Sequence, residues 1–248
     1  MNLSNHQGIR QRKLYEQVVE EIGLRIIRGD YRPGDTLPVE DDLCRELSVS
    51  RGVLREAAKV LAQKGLILSR PKVGTQVLPR TRWHLFDADV LLWILTVEDR
   101  LAFLRNVTEV RCMIESEAAR LAAERASDAE IATIQKCLSA MEALFQDESE
   151  YTYDRYLEAD TAFHLSILDA CHNELLSRIG HTMRSAVQTA RRSDTREIGV
   201  QQDSLKFHQE MAMAIARHDP AAAADAARRM FDHVWRHLPR TPESSGNS

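Results

Sequence analysis

The 248-residue sequence is poor in chain breakers, with only 10 Gly and 7 Pro. So few breakers leave room for long helices and exclude a loop-rich or collagen-like chain. Long apolar runs are missing too. None approaches the roughly 20 residues of a membrane-spanning helix. The opening "MNLSNHQGIRQRK" lacks the apolar centre of a signal peptide. The 4 cysteines, Cys44, Cys112, Cys137 and Cys171, form no Cys-x-x-Cys pair. Scattered thiols of this kind fit a reduced, cytoplasmic protein and not a disulfide scaffold. P-loops, nucleophile elbows and glycine-rich dinucleotide fingerprints are absent, which removes the commonest enzyme motifs.

What remains is 44% hydrophobic and 28% charged, a soluble, helix-rich chain long enough for one large domain or two smaller ones. Its net charge of −4 is unevenly spread. Residues 1–86 hold 15 Lys/Arg against 10 Asp/Glu, and the remainder holds 18 against 27. A front of +5 on a body of −9 suggests that the front meets a polyanion. Chance is the alternative, because the excess is modest.

Leu14, Val18, Ile22 and Ile26 recur every four residues and predict a helix over 11–29. "GDYRPGDTLP" breaks it, and a short helix follows over 39–47 with Leu43 and Leu47 inward. Ser50 is a good N-cap for a third helix over 51–64, which Gly65 ends. "LILSR" and "GTQVL" flank a turn at "PKVG" as two short strands. Three helices and a hairpin make a winged helix-turn-helix. The expected fold is therefore mostly α: this head over 11–78, a linker over 79–87, and an all-α bundle over 88–238. Bundle helices are expected over 88–95, 98–125, 128–146, 151–172, 174–192, 203–217 and 220–237. The closing "PRTPESSGNS" reads as disordered.

On the third helix, Val53, Leu54, Ala57, Ala58 and Leu61 face a core, while Arg51, Arg55 and Lys59 recur on the opposite side. Cations at a helix start after a tight turn suit the major groove, where Arg can hold guanine in bidentate fashion. A solvated charged face is the alternative. The stretch "YRPGDTLPVEDDLCRELSVSRGVLREAAKVLAQKGLI", followed by "VGTQV", resembles the DNA-binding domain of the GntR family of bacterial transcription regulators. The resemblance implies base contact by Arg51 and Arg55, support from Ser50, and minor-groove contact by the wing around Gly74. Many members carry Arg after the Glu of "LPxE"; here Asp41 stands there. A carboxylate cannot hold phosphate, so one family contact is missing or replaced.

The rear half poses a different question. In "LEADTAFHLSIL", residues 157–168, Leu157, Phe163, Ile167 and Leu168 form one helical stripe, and Asp160 and His164 fall inside it. Polar residues belong on the wet face. Arg111 is likewise set between Leu104, Val107, Ile114 and Ala118, and His208 between Leu205, Met211, Ala212 and Ile215. Burying a lone charge costs several kcal/mol, so such residues are paired, metal-bound or ligand-bound. Separately, each has a plain explanation: a satisfied core His, or Arg111 paired with Glu115. Together they point to a pocket.

An all-helical domain behind such a head resembles the FadR branch of the family. "EVRCMIESEAARLAAERA" is similar, more narrowly, to regulators of sugar-acid catabolism such as the galactonate-operon repressor group. The branch implies a divalent metal, here Zn, Ni or Mn, on Asp160, His164 and His208. It also implies a fourth His where Met230 sits, and His233, one turn further on, is the possible substitute. A buried Asp160–His164 ion pair without metal is the alternative.

These features lead to one expectation: a metabolite-responsive regulator, most simply a repressor of a sugar-acid operon. A homodimer would bind a palindromic double-stranded DNA operator with one recognition helix per half-site. A small carboxylate or sugar-acid effector, held by Arg111, would release it. A helical-bundle metalloenzyme with a DNA-binding head is the alternative, although none of the 9 His follows a Glu by three residues as di-metal bundles require. A constitutive architectural DNA binder is the third reading.

Overall fold

A computed structural model describes residues 3–70, 74–97, 100–146, 152–191 and 198–237. The chain divides into two compact units, Met1–Glu98 and Asp99–Ser248. Neither the tail from Pro239 nor most of the turn at 71–74 lies within the described residues.

The first unit contains α1 (Leu3–Arg28), α2 (Glu40–Glu46), α3 (Arg51–Gln63), β1 (Ile67–Arg70), β2 (Gly74–Val77) and α4 (Ala88–Thr96). Val18, Ile22 and Ile26 of α1 and Val53, Leu54, Ala57 and Leu61 of α3 are buried, as their spacing requires. The two strands pair antiparallel, with Ile67 opposite Val77 and Arg70 opposite Gly74. Residues before α2 add a short third edge: Leu37 N donates to Thr75 O at 2.8 Å, and Val77 N to Asp35 O at 2.9 Å. The result is the winged helix-turn-helix expected from the sequence.

Three clear departures from that expectation appear; one is the helix expected from residue 203, which starts at Ile198. Helix α1 begins at Leu3 and not at residue 11; the added stretch holds no proline to stop it. Helix α4, grouped by its sequence with the rear bundle, packs with the first unit. Its Trp93 lies against α1 at Gly23, where a Cβ would approach the indole to 2.4 Å. Lys64, at the end of α3, is buried and bonds Asp87, the N-cap of α4, at 2.7 Å. Asp89 takes the same ammonium at 2.7 Å. An apolar helix with mostly buried side chains has to find a core, and here the core of the head supplies it.

The second unit contains α5 (Arg100–Arg125), α6 (Asp128–Gln146), α7 (Tyr153–Ala170), α8 (Glu174–Arg191), α9 (Ile198–Ala216) and α10 (Pro220–His237). A capping box starts α6: Ser127 N donates to Glu130 Oε2 at 2.8 Å, and Glu130 N to Ser127 Oγ at 3.4 Å. Thr152 caps α7 through the Arg155 amide. The apolar core gathers Ala119, Ala122, Ile134, Met141, Phe163, Ile167, Met211, Ile215, Ala227 and Phe231. Many of its members are alanines, which let α5 and α10 pack closely. No described helix is long and apolar enough to cross a membrane.

Candidate functional site

In the first unit the expected DNA-binding residues lie on α3 and the wing. Ser50 caps α3 by accepting from Val53 N at 3.4 Å. Arg51, Arg55 and Lys59 stand exposed on the helix. Each is held by a carboxylate: Arg51 by Asp41 at 2.8 Å, Arg55 by Glu40 at 3.0 Å, Lys59 by Glu56 at 2.7 Å. Asp41, the departure from the family pattern, thus faces a residue expected to read bases. Gly74 opens β2 with φ at 100°, and a Cβ there would meet Thr36 at 2.9 Å. Both facts call for glycine at that position of the wing.

In the second unit, α5, α7, α8 and α9 bring their inward polar residues into one cluster. The inward polar residues of "LEADTAFHLSIL" belong to it. His164 is buried, and Asp160 keeps only 15% of its side chain exposed. Asp160, His164 and His208 each offer one ligand atom, and these atoms lie within 4.8 Å of one another. His233 is buried on α10 and lines the same pocket, as does Met230, but it is not one of the three clustered atoms. Its ring lies against Phe207 and His237.

Arg111 is also where its stripe put it, on the pocket wall. It has a carboxylate partner at its own depth: its Nε donates to Glu115 Oε1 at 2.8 Å, with both residues buried. The pairing that the sequence offered as the plain explanation therefore exists. It occupies only Nε, however. The two terminal nitrogens make no hydrogen bond among the described residues, and the guanidinium lies 5.3 Å from the Phe231 ring centroid.

Arg184 is the residue that sequence reasoning missed. It is buried on α8, donating to Glu115 Oε2 at 2.7 Å and to Asp160 Oδ2 at 2.6 Å. The signal was available, because Arg184 falls inside an apolar stripe with Gly180, Met183 and Val187. Burial works against the Glu115 carboxylate, but Arg111, Arg184 and His164 outweigh it and hold the group well below the usual carboxylate range. Asp160 is held well below its range as well: burial opposes, and the charge of Arg184 prevails. For His164, burial and then the positive charge of Arg184 push the imidazole down to about 4.

The ring tautomers follow. His164 Nδ1 lies 2.9 Å from Glu115 Oε2, an ionised carboxylate that can only accept, so Nδ1 carries the proton. His208 Nδ1 lies 3.0 Å from the Ser204 carbonyl, which also can only accept. The neutral ring of His164 therefore presents a lone pair at Nε2, and so does the neutral form of His208. Those two atoms are 3.2 Å apart, and Asp160 Oδ1 is 3.2 Å from His208 Nε2. Three electron-pair donors converge with no proton assigned between them, while each ring is fixed from behind, as in metal sites. The alternative Asp160–His164 ion pair fits less well. His164 Nε2 is 3.7 Å from Asp160, the ring is neutral, and the carboxylate already has Arg184.

Comparison with known proteins agrees with both halves. Residues 14–77 match the bacterial regulatory proteins of the gntR family, and residues 106–233 match the FCD domain. The galactonate operon transcriptional repressor of Escherichia coli (strain K12) is 32% identical over 224 residues, which cover 90% of this chain and 96% of that protein. An uncharacterized HTH-type transcriptional regulator of the same strain, YieP, is 31% identical over 231 residues, 93% of this chain and 98% of its own. Among solved structures, Streptococcus agalactiae GntR superposes with a TM-score of 0.51 at 23% identity, covering 90% of this chain and 99% of that one. At that identity the likeness speaks for the fold alone. The metalloenzyme alternative finds no support among these relatives. A winged head that carries a cationic recognition helix, joined to a helical unit built around a polar pocket, places this chain in the GntR family of bacterial transcription regulators, with an FCD effector-binding domain.

Proposed function

We propose that the second unit binds a divalent metal and a small carboxylate side by side, and that the carboxylate releases a homodimer from a palindromic operator. Asp160, His164 and His208 would hold the metal, with Zn, Ni or Mn suited to one carboxylate and two imidazoles. When bound, the metal supplies open coordination positions for an effector's oxygens. Arg111 takes the effector's carboxylate with its terminal nitrogens. On the first unit, Arg51 and Arg55 read base edges, Ser50 and Lys59 support them, and the wing at Gly74 reaches the minor groove.

One observation carries the effector reading. The buried fork of Arg111 faces the same pocket as the three converging donors and, among the described residues, hydrogen-bonds only through Nε. Charge supports it. Arg111 and Arg184 balance Glu115 and Asp160, so a divalent ion leaves the cluster positive and favours an anion. The galactonate operon repressor points to an aldonate or a related sugar acid, and to repression as the mode.

Two measurements test this. Metal analysis of protein purified without chelator should find about one ion per chain, and Zn²⁺, Ni²⁺ or Mn²⁺ should raise the melting temperature of dialysed protein. A ligand at 100 times its Kd adds about 2.7 kcal/mol. No ion and no shift would leave only the charge cluster. In the second, Arg111→Ala should bind operator DNA normally yet fail to release it with galactonate or other sugar acids. Normal release by this variant would remove Arg111 from the site.

A further inference from the structure

Gln201 lies on α9 at the same pocket and plays no part in the metal or carboxylate contacts above. It is 5% exposed, and its Oε1 is fully buried with no hydrogen-bond partner among the described residues. Buried acceptors are almost always satisfied, and one left open carries a free-energy penalty. Gln201, Ser204 and His208 sit at i, i+3 and i+7 on α9, so they share one face. Both companions are occupied. Ser204 Oγ donates to the Gln201 carbonyl at 2.7 Å and lies 3.3 Å from the Tyr156 hydroxyl. His208 Nδ1 donates to the Ser204 carbonyl. Neither can turn to Oε1 without opening a bond it already makes.

The missing partner must be a donor, which narrows its chemistry. An ammonium would enter a pocket that the proposed metal leaves positive, where a further cation is repelled. A carboxylate oxygen has no proton to give. A neutral hydroxyl meets both conditions, and it can also accept from the amide nitrogen if the ends of the amide exchange. We propose that Gln201 is a specificity residue that accepts a hydrogen bond from an effector hydroxyl, so that this regulator selects hydroxy acids over hydroxyl-free carboxylates of the same length. The proposal rests on the carboxylate reading above and adds the group that distinguishes one carboxylate from another. A site built to bond a hydroxyl rejects the analogue that lacks it, because the buried acceptor is then left open again.

Calorimetric titration of the full-length, metal-supplemented protein tests this with matched acids: galactonate against hexanoate, and glycerate against propionate. The wild type should prefer the hydroxylated member of a pair by at least about tenfold. Gln201→Leu and Gln201→Met remove the open acceptor and should fold at least as stably. In both, the preference should collapse to within about threefold, mostly through weaker binding of the hydroxy acid, while hydroxyl-free acids bind as before. Arg111→Ala should weaken both members of each pair together. An undiminished preference in the Gln201 variants overturns the inference and leaves the carboxylate reading standing. Equal binding of both members by the wild type does the same. If none of the four acids binds the wild type, the carboxylate reading fails and this inference fails with it.

Discussion

Both units pair arginine with carboxylate, and the pairs could hardly differ more. Arg51 and Arg55 keep 64% and 67% of their side chains exposed while bonded to Asp41 and Glu40. Arg111 and Arg184 keep 5% and 4% while bonded to Glu115 and Asp160. Exposed pairs contribute about 0–1 kcal/mol, because water screens them and both chains lose entropy. Carboxylates on α2 can therefore hold the forks of α3 and give them up to phosphate or guanine at little cost. Buried pairs are different: each member was desolvated to get there, and removing one strands the other. On the proposed reading, the front pairs would act as an exchangeable rest position. The rear pairs form a scaffold on which the proposed ligand would have to find unused bonding capacity, such as the terminal nitrogens of Arg111.

The largest expected effect follows from breaking the scaffold. Arg184→Met removes the cation shared by Glu115 and Asp160 and should destabilise the second unit by about 3–5 kcal/mol. Urea unfolding would read this as a lower midpoint with little change in slope. Adding Glu115→Gln to Arg184→Met should cost less than the sum of the single changes, because the second substitution removes a stranded charge. Strict additivity would show that the cluster is not one coupled unit.

The next effect belongs to the front. Arg55→Ala should weaken operator binding by about 1–3 kcal/mol and relax sequence preference. Its effect on folding should stay within about 0.5 kcal/mol, since the pair it breaks is exposed. A footprint unchanged by Arg55→Ala and Arg51→Ala together would overturn base readout by α3. A large loss of stability in either variant would break the comparison instead, by showing that an exposed pair supports the fold.

The difference in burial also decides what could be read in advance. The head was legible because its signals are local: a cap at Ser50, breakers at Pro33 and Pro38, and four-residue periodicity in α1 and α3. Four inward polar positions of the bundle, Arg111, Asp160, His164 and His208, were legible as breaks in an apolar stripe, and the structure brings ligand atoms of the last three within 4.8 Å of one another. Arg184 breaks a stripe as well, but that stripe contains Gly180 and is thin in large apolar side chains, so the break is faint. The bond between Arg111 and Glu115 spans i and i+4 and was visible as an option. That Glu115 also serves Arg184 and His164 depends on how three helices pack, which no single helix encodes. Helix α4 shows the same limit. Its apolar face announced burial, but the choice of the head as its partner depends on the space left open at Gly23.

The smallest expected effect is at Asp41, and it tests the exchange idea most directly. Bonded to Arg51 at 2.8 Å, the carboxylate holds the guanidinium, and on the proposed reading it would bring a negative charge towards phosphates once DNA arrives. Asp41→Asn keeps the shape and an acceptor but removes the charge. If the pair is only a rest position, operator affinity should rise by less than tenfold, worth under about 1.4 kcal/mol. Thermal stability should hardly move. Asp41→Arg goes further by replacing the carboxylate with a cation. It should tighten binding at low salt and steepen the dependence of log affinity on log salt by about 1. The opposite sign would be equally informative. Weaker operator binding by Asp41→Asn, with non-specific binding unchanged, would mean that Asp41 aims Arg51 at its base. The front pair would then be part of the reading apparatus, as fixed in function as the buried pairs are in structure.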